Sequence, residues 1–159
     1  MDERDYKALN ATDAILTVND IKMYVGTGLI VYNQYNDRNE NLHGITKSVF
    51  TKYKDVISRY NIDEIKPILY PLDCLTKPIW FEGKEVIVME IIVAYALKEM
   101  QIKKDDCVVL SRMIMYNDNI HKIPYWCVQI LTKFHFDINK LISRGLAISV
   151  TNEFNPYSK

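Results

Sequence analysis

Three histidines (His43, His121, His135) and three cysteines (Cys74, Cys107, Cys127) are the chain's stock of soft metal ligands. A zinc site needs four such groups around one ion, and sequence normally announces it as short paired spacings. Here Cys107, His121, Cys127 and His135 are separated by 14, 6 and 8 positions, with no CxxC or HxxxH unit. The expectation is therefore no metal and no cofactor. Nucleophilic catalysis has little better support. Cys127 falls on an apolar helical stripe, whereas a reactive thiolate wants exposure and a cationic neighbour. Cys74 has no histidine nearby, and Ser58 and Ser111 lack the GxSxG turn that activates a serine. Asp105-Asp106 and the Glu82/Glu85 pair lie in charged stretches, where solvated surface is the ordinary role. Gly26-Thr27-Gly28 precedes a strand, while a phosphate-binding loop follows a strand and opens a helix. The sequence reads as that of a non-enzymatic protein.

Binding chemistry is better represented. Lys47-Ser-Val-Phe-Thr-Lys-Tyr-Lys54 interleaves Lys47, Lys52 and Lys54 with Phe50 and Tyr53. Aromatic rings beside lysines grip single-stranded nucleic acid by stacking and charge. On a strand, Phe50, Lys52 and Lys54 would share a face, and the competing role is a solvated edge strand protected by its lysines. Residues 1–72 hold nine basic and ten acidic side chains, so any basic patch is local. Eleven tyrosines, five phenylalanines and two tryptophans supply the second signal, since tyrosine is enriched at recognition surfaces. Tyr70, Trp80, Phe81 and Tyr125 are the candidates for a protein-binding surface. The same rings could instead seal the contact between two lobes.

These residues need elements to position them. Thr17–Val25 reads as a short helix capped by Thr17, with Ile21, Tyr24 and Val25 on one face. Leu29–Tyr35 is a strand, and Asn36–Asn41 is a turn by composition. Residues 46–58 fit either a helix or two strands turning at Lys54-Asp55, and the strands are preferred. Asn61–Ile65 is a helical turn, followed by a short strand over 68–72. Ile79–Ile87 is a hairpin turning at Glu82-Gly83. Residues 89–100 form a buried helix, Lys103–Asp106 a charged turn, and 107–115 either helix or strand. Pro124 opens the clearest helix, with Ile123, Trp126, Cys127, Ile130, Leu131 and Phe134 as its stripe. Asp137 should cap a second short helix ending at Gly145, before a strand over 146–150 and a polar tail. The first ten residues should fray.

The whole is an α+β chain. A lobe over 16–72 holds a short helix and a small, curled antiparallel sheet, with an SH3-like barrel as a candidate arrangement. A mainly helical lobe with a hairpin covers 73–151 and packs against it. Charged residues are 25% and hydrophobic residues 48%, which is globular composition and excludes disorder. Lys plus Arg and Asp plus Glu are both 20, which removes any global drive toward nucleic acid. Three widely spaced cysteines do not make a disulfide framework. The N-terminus lacks an apolar signal core, and Val86–Leu97 is too short to span a bilayer. A cytoplasmic protein without membrane partners is the expectation. No pattern in the sequence sets an oligomeric state.

Three stretches carry a resemblance. They are Leu16–Leu29 (LTVNDIKMYVGTGL), Ile65–Ile79 (IKPILYPLDCLTKPI) followed by Gly83-Lys-Glu, and Ile123–Asp137 (IPYWCVQILTKFHFD) running into Leu141–Ile148 (LISRGLAI). Together, over about 16–150, they resemble a family of small phage and prophage proteins of Bacteroidetes. Relatives carry Arg where this chain has Tyr70, and Ser-Asp where it has Asp73-Cys74, so no role of that arginine transfers. The resemblance implies a phage-type protein in the host bacterial cytoplasm and brings no activity with it.

Overall fold

The structure, a computed structural model, describes residues 15–116 and 120–159. The first ten residues, expected to fray, lie outside them. The chain divides into two compact units, one over 1–69 with 140–149, the other over 70–139 with 150–159. The fold is α+β: a mostly antiparallel six-stranded sheet and a two-stranded hairpin, with four α-helices among the described residues.

The first unit opens with helix α1 (Val18–Ile21), continued by a 3-10 turn over Lys22–Tyr24. Asp20 accepts hydrogen bonds from the Thr17 amide at 2.8 Å and the Thr17 hydroxyl at 2.9 Å, closing the N-terminus. Ile21 and Tyr24 are fully buried, but Val25 is 39% exposed, because the chain leaves helical geometry before reaching it. Then come β1 (Ile30–Asn33), β2 (Arg38–Ile45), β3 (Val49–Tyr53), β4 (Val56–Tyr60), β5 (Ile65–Leu69) and, much later, β8 (Ile148–Ser149). Their order is β4-β3-β2-β1-β5-β8, antiparallel throughout except for the β5–β8 pair. The turn between β3 and β4 falls on Lys54 and Asp55, both at positive φ as the two-residue hairpin demands.

The turn expected over 36–41 is present only up to Asp37, and strand β2 overrides it from Arg38 onward. Its polar residues are paired: Glu40, 3% exposed, accepts from Asn33 Nδ2 at 2.9 Å and from Thr51 Oγ1 at 3.3 Å. Arg38 Nε stands 3.6 Å from the same carboxylate. Asn33 Oδ1 in turn accepts the Tyr35 and Asn36 amides, so one buried asparagine both anchors Glu40 and forms the β1–β2 turn. Side chains of Val31, Leu42, Val49 and Ile65 complete the covered face.

The second unit holds the hairpin β6 (Ile79–Phe81) and β7 (Lys84–Val86), then α2 (Val88–Lys98), α3 (Lys104–Met115) and α4 (Tyr125–Lys133). Glu82 and Gly83 make the hairpin turn at φ 48° and 72°. Helix α2 buries Val88, Met89, Ile92 and Ala96, yet Tyr95 and Leu97 are 39% and 43% exposed, so it is covered on one side only, and it ends at Lys98, short of Met100. The KKDD stretch is the start of α3, not a turn. Asp105 and Asp106 sit in its first turn, where the helix dipole favours carboxylates. Residues 107–115 are therefore helical. Pro124 is the N-cap of α4, and its carbonyl accepts the Cys127 and Val128 amides. Cys127 and Leu131 are fully buried, while Trp126, Ile130 and Phe134 are half-buried.

No second helix follows Asp137. Residues 138–145 run as turns, with Lys140 at positive φ, and Asp137 instead donates its amide to the Tyr70 carbonyl. The tail is not merely polar: Tyr157 is 6% exposed, and residues 157–158 accept the Glu82 and Gly83 amides.

Leu131→Ala should cost about 2–5 kcal/mol in denaturant melts, as a cavity cut into a filled site. Gln129→Ala, exposed on the same helix, should stay within about 0.5 kcal/mol.

Candidate functional site

A concavity lies in the second unit. It is a half-open groove of about 500 Å³, lined by Tyr70, Cys74, Lys77, Trp80, Thr151 and Asn155 among others. Strand alternation explains its central side chain. Ile79 and Phe81 point inward at 6% and 7% exposure, leaving Trp80 outward at 53%. The Trp80 carbonyl is fixed from both sides. The Tyr70 hydroxyl approaches it at 2.7 Å, with Asn155 Oδ1 as alternative acceptor at 3.1 Å, and Asn155 Nδ2 donates to it at 3.0 Å.

Below this surface lies an aromatic cluster. Tyr70 stacks on Phe136 at 5.5 Å and tilts against Tyr157 at 5.9 Å. Phe81 meets Phe134 at 5.0 Å and His135 at 5.4 Å, and His135 lies 4.3 Å from Tyr157. His135 is thus a packed ring at the end of α4, with positive φ, and not a solvent-facing base. The tail closes the groove's other wall through reciprocal bonds between Thr151 and Phe154.

Of the four expected contact residues, Tyr70 and Phe81 are buried, Tyr70 within the groove's lining. Trp80 stands at the groove, and Tyr125, 75% exposed, does not line it. Sequence reasoning misses Thr151 and Asn155. They lie in a segment with no periodicity, and only the polar-aromatic run Asn-Glu-Phe-Asn-Pro-Tyr hints at a folded tail.

The basic-aromatic strand divides differently from its sequence pattern. Phe50 and Lys52 share the outer face of β3, and Lys47 is exposed in the preceding loop. Tyr53 faces the other side with the Arg38 guanidinium 3.9 Å above its ring. Lys54 lies in the hairpin turn, off the strand face. Pairing brings in residues that the sequence could not. Lys66 sits opposite Tyr32 and that opposite Asn39; Ile30, Asn41, Lys52 and Ile57 form a second row; Gly44, Phe50 and Arg59 form a third. No carboxylate falls in these rows, although Asp55 in the turn lies 3.8 Å from Lys52.

Two of the thiols are held toward the protonated form. Burial pushes Cys127 up to about 12. Cys74 is raised by burial first and by the neighbouring Asp73 second. Among the described residues, no three His, Cys, Asp or Glu side chains converge as a metal site, and no helix is long and apolar enough to cross a membrane. No family model matches the chain, and neither curated proteins nor solved structures yield a significant match.

Burial likewise raises Tyr70 to about 12. Tyr70 and Cys127 therefore keep their protons in the folded state after the unfolded chain has lost them. Their contribution to stability is complete below the unfolded values of 9.0 for Cys and 10.0 for Tyr, and is lost as pH rises toward about 12. Chemical denaturation at stepped pH should show this decline, and Tyr70→Phe should flatten its upper part.

Proposed function

We propose that this chain is a non-enzymatic binding protein whose second unit seats one apolar side chain of a protein partner in the groove beside Trp80. The observation that carries the reading is an exposed indole whose main chain is held by a buried tyrosine and an asparagine. Exposed large aromatics on rigid backbone are the usual anchors of protein interfaces, because little freedom remains to be lost on binding. The groove's size suits one or two side chains. Its rim carries Lys77 and Glu153, so neither sign of charge is selected, and Asn155 and Thr151 are bonded within the wall and hold its shape. The setting in this reading is that of a phage-type accessory or host-modulating factor in the bacterial cytoplasm, as the resemblance over 16–150 implies.

A second reading is favoured by the three outer rows of the first unit's sheet. Tyr32 and Phe50 could stack bases while Lys52, Arg59 and Lys66 meet phosphates, which is how open sheets hold single strands.

Selection of displayed peptides on the full chain tests the first reading. Binders should share an apolar anchor, and Trp80→Ala should weaken them by about thirtyfold or more, equivalent to about 2 kcal/mol. Peptides whose affinity ignores that change would contradict it. For the second reading, anisotropy of a labelled oligo-dT should fall steeply between about 50 and 200 mM salt. The double change Lys52→Glu, Arg59→Glu should abolish the signal. Absence of binding at the lower salt would retire it.

A further inference from the structure

Helix α3 carries apolar side chains on both its covered and its exposed side. Cys107, Leu110 and Ile114 are buried against its own unit. The opposite side carries Val108 and Val109 at 53% and 56% exposure, Met113 at 39% and Tyr116, just past the helix end, at 78%. Exposed apolar side chains grouped on one helix face and rimmed by charge mark an interaction surface. The charges on this outer side are arranged in a particular way. Asp105 and Arg112 lie two turns apart on the same stripe as Val109 and Tyr116, since 105, 109, 112 and 116 follow the helical repeat. Among the described residues neither makes an ion pair.

We infer that this face is the homodimer contact, with α3 packed antiparallel against α3 of a second copy. A two-fold axis between Val108 and Val109 sets Val108 of one copy against Val109 of the other. The same axis places Asp105 opposite Arg112 and Arg112 opposite Asp105. Two salt bridges then bracket an apolar centre, with Lys104 brought near Met113 and no like charges facing. Self-complementarity of this kind is what a two-fold interface requires, and it is the argument for a second copy over any other occupant. Antiparallel alignment also opposes the helix dipoles favourably. One helix pair covers less than the area of a standard interface, so the dimer is weak and concentration-dependent. The surface is separate from the Trp80 groove and does not depend on the function proposed for it.

Sedimentation equilibrium of the full chain over a wide concentration range reads this directly. The wild type should pass from monomer to dimer, and added salt should shift it toward monomer. Arg112→Asp should raise the dissociation constant by about tenfold or more by placing two like charges together at each end. Adding Asp105→Arg should bring the dimer back, a rescue that general surface loss would not give. Val109→Asp should leave a folded monomer, checked by circular dichroism. A wild type that stays monomeric throughout, an Arg112→Asp variant that dimerises as the wild type does, or a charge swap without recovery would each overturn the assignment.

Discussion

The hydrogen bond from the Tyr70 hydroxyl to the Trp80 carbonyl is the constraint on which the second unit's surface depends. A buried phenol must find an acceptor, and this one finds the main chain of a three-residue strand. Because that carbonyl is held, the strand keeps its register there, and alternation leaves the Trp80 side chain on the outer face. Asn155 binds the same carbonyl and accepts the Tyr157 amide at 3.0 Å, so the tail is tied to the strand by the same set of bonds. Groove floor and groove wall are thus set by one buried hydroxyl and one amide. Tyr70 also receives main-chain bonds, donating its amide to the His135 carbonyl and accepting from Asp137. A residue fixed at both its backbone and its hydroxyl transmits that rigidity to the surface.

The first unit rests on a different polar device. Glu40 is a carboxylate on the covered face of a sheet, where an unpaired charge would be costly. Asn33, Thr51 and Arg38 surround it, and Asn33 simultaneously shapes the turn that returns β2 alongside β1. With the inner face ordered in this way, alternation sends Phe50, Lys52 and Arg59 outward. The aromatic-basic rows are a consequence of register, since a slip by one residue would exchange the two faces.

The sequence was most legible where one local rule acts alone. The two hairpin turns at Lys54-Asp55 and Glu82-Gly83 were readable because turn chemistry is local, and the α4 stripe because Cys127 and Leu131 recur at helical spacing. It misled where tertiary pairing overrode composition. Asn-Asp-Arg-Asn-Glu-Asn looks like a loop, yet Glu40 and Asn33 satisfy each other and carry the strand through. Lys-Lys-Asp-Asp looks like a turn, yet carboxylates in a first helical turn are favourable. Asp137-Ile-Asn-Lys has the look of a helix start, but Asp137 is engaged by Tyr70 and Lys140 adopts positive φ. Of the candidate site, Trp80 could be found from alternation in 79–81. Asn155 and Thr151 could not, because their role arises only when the tail meets a hairpin some 70 positions earlier.

The central claim is that Trp80 and its tethered surroundings form the recognition surface. Amide chemical-shift mapping of the full, isotopically labelled chain with a display-selected peptide tests it most directly. The account predicts shifts concentrated in residues 74–80 and 150–158, with the indole NH of Trp80 among the largest. Shifts confined to the strands over 30–60, with Trp80 unmoved, would contradict it.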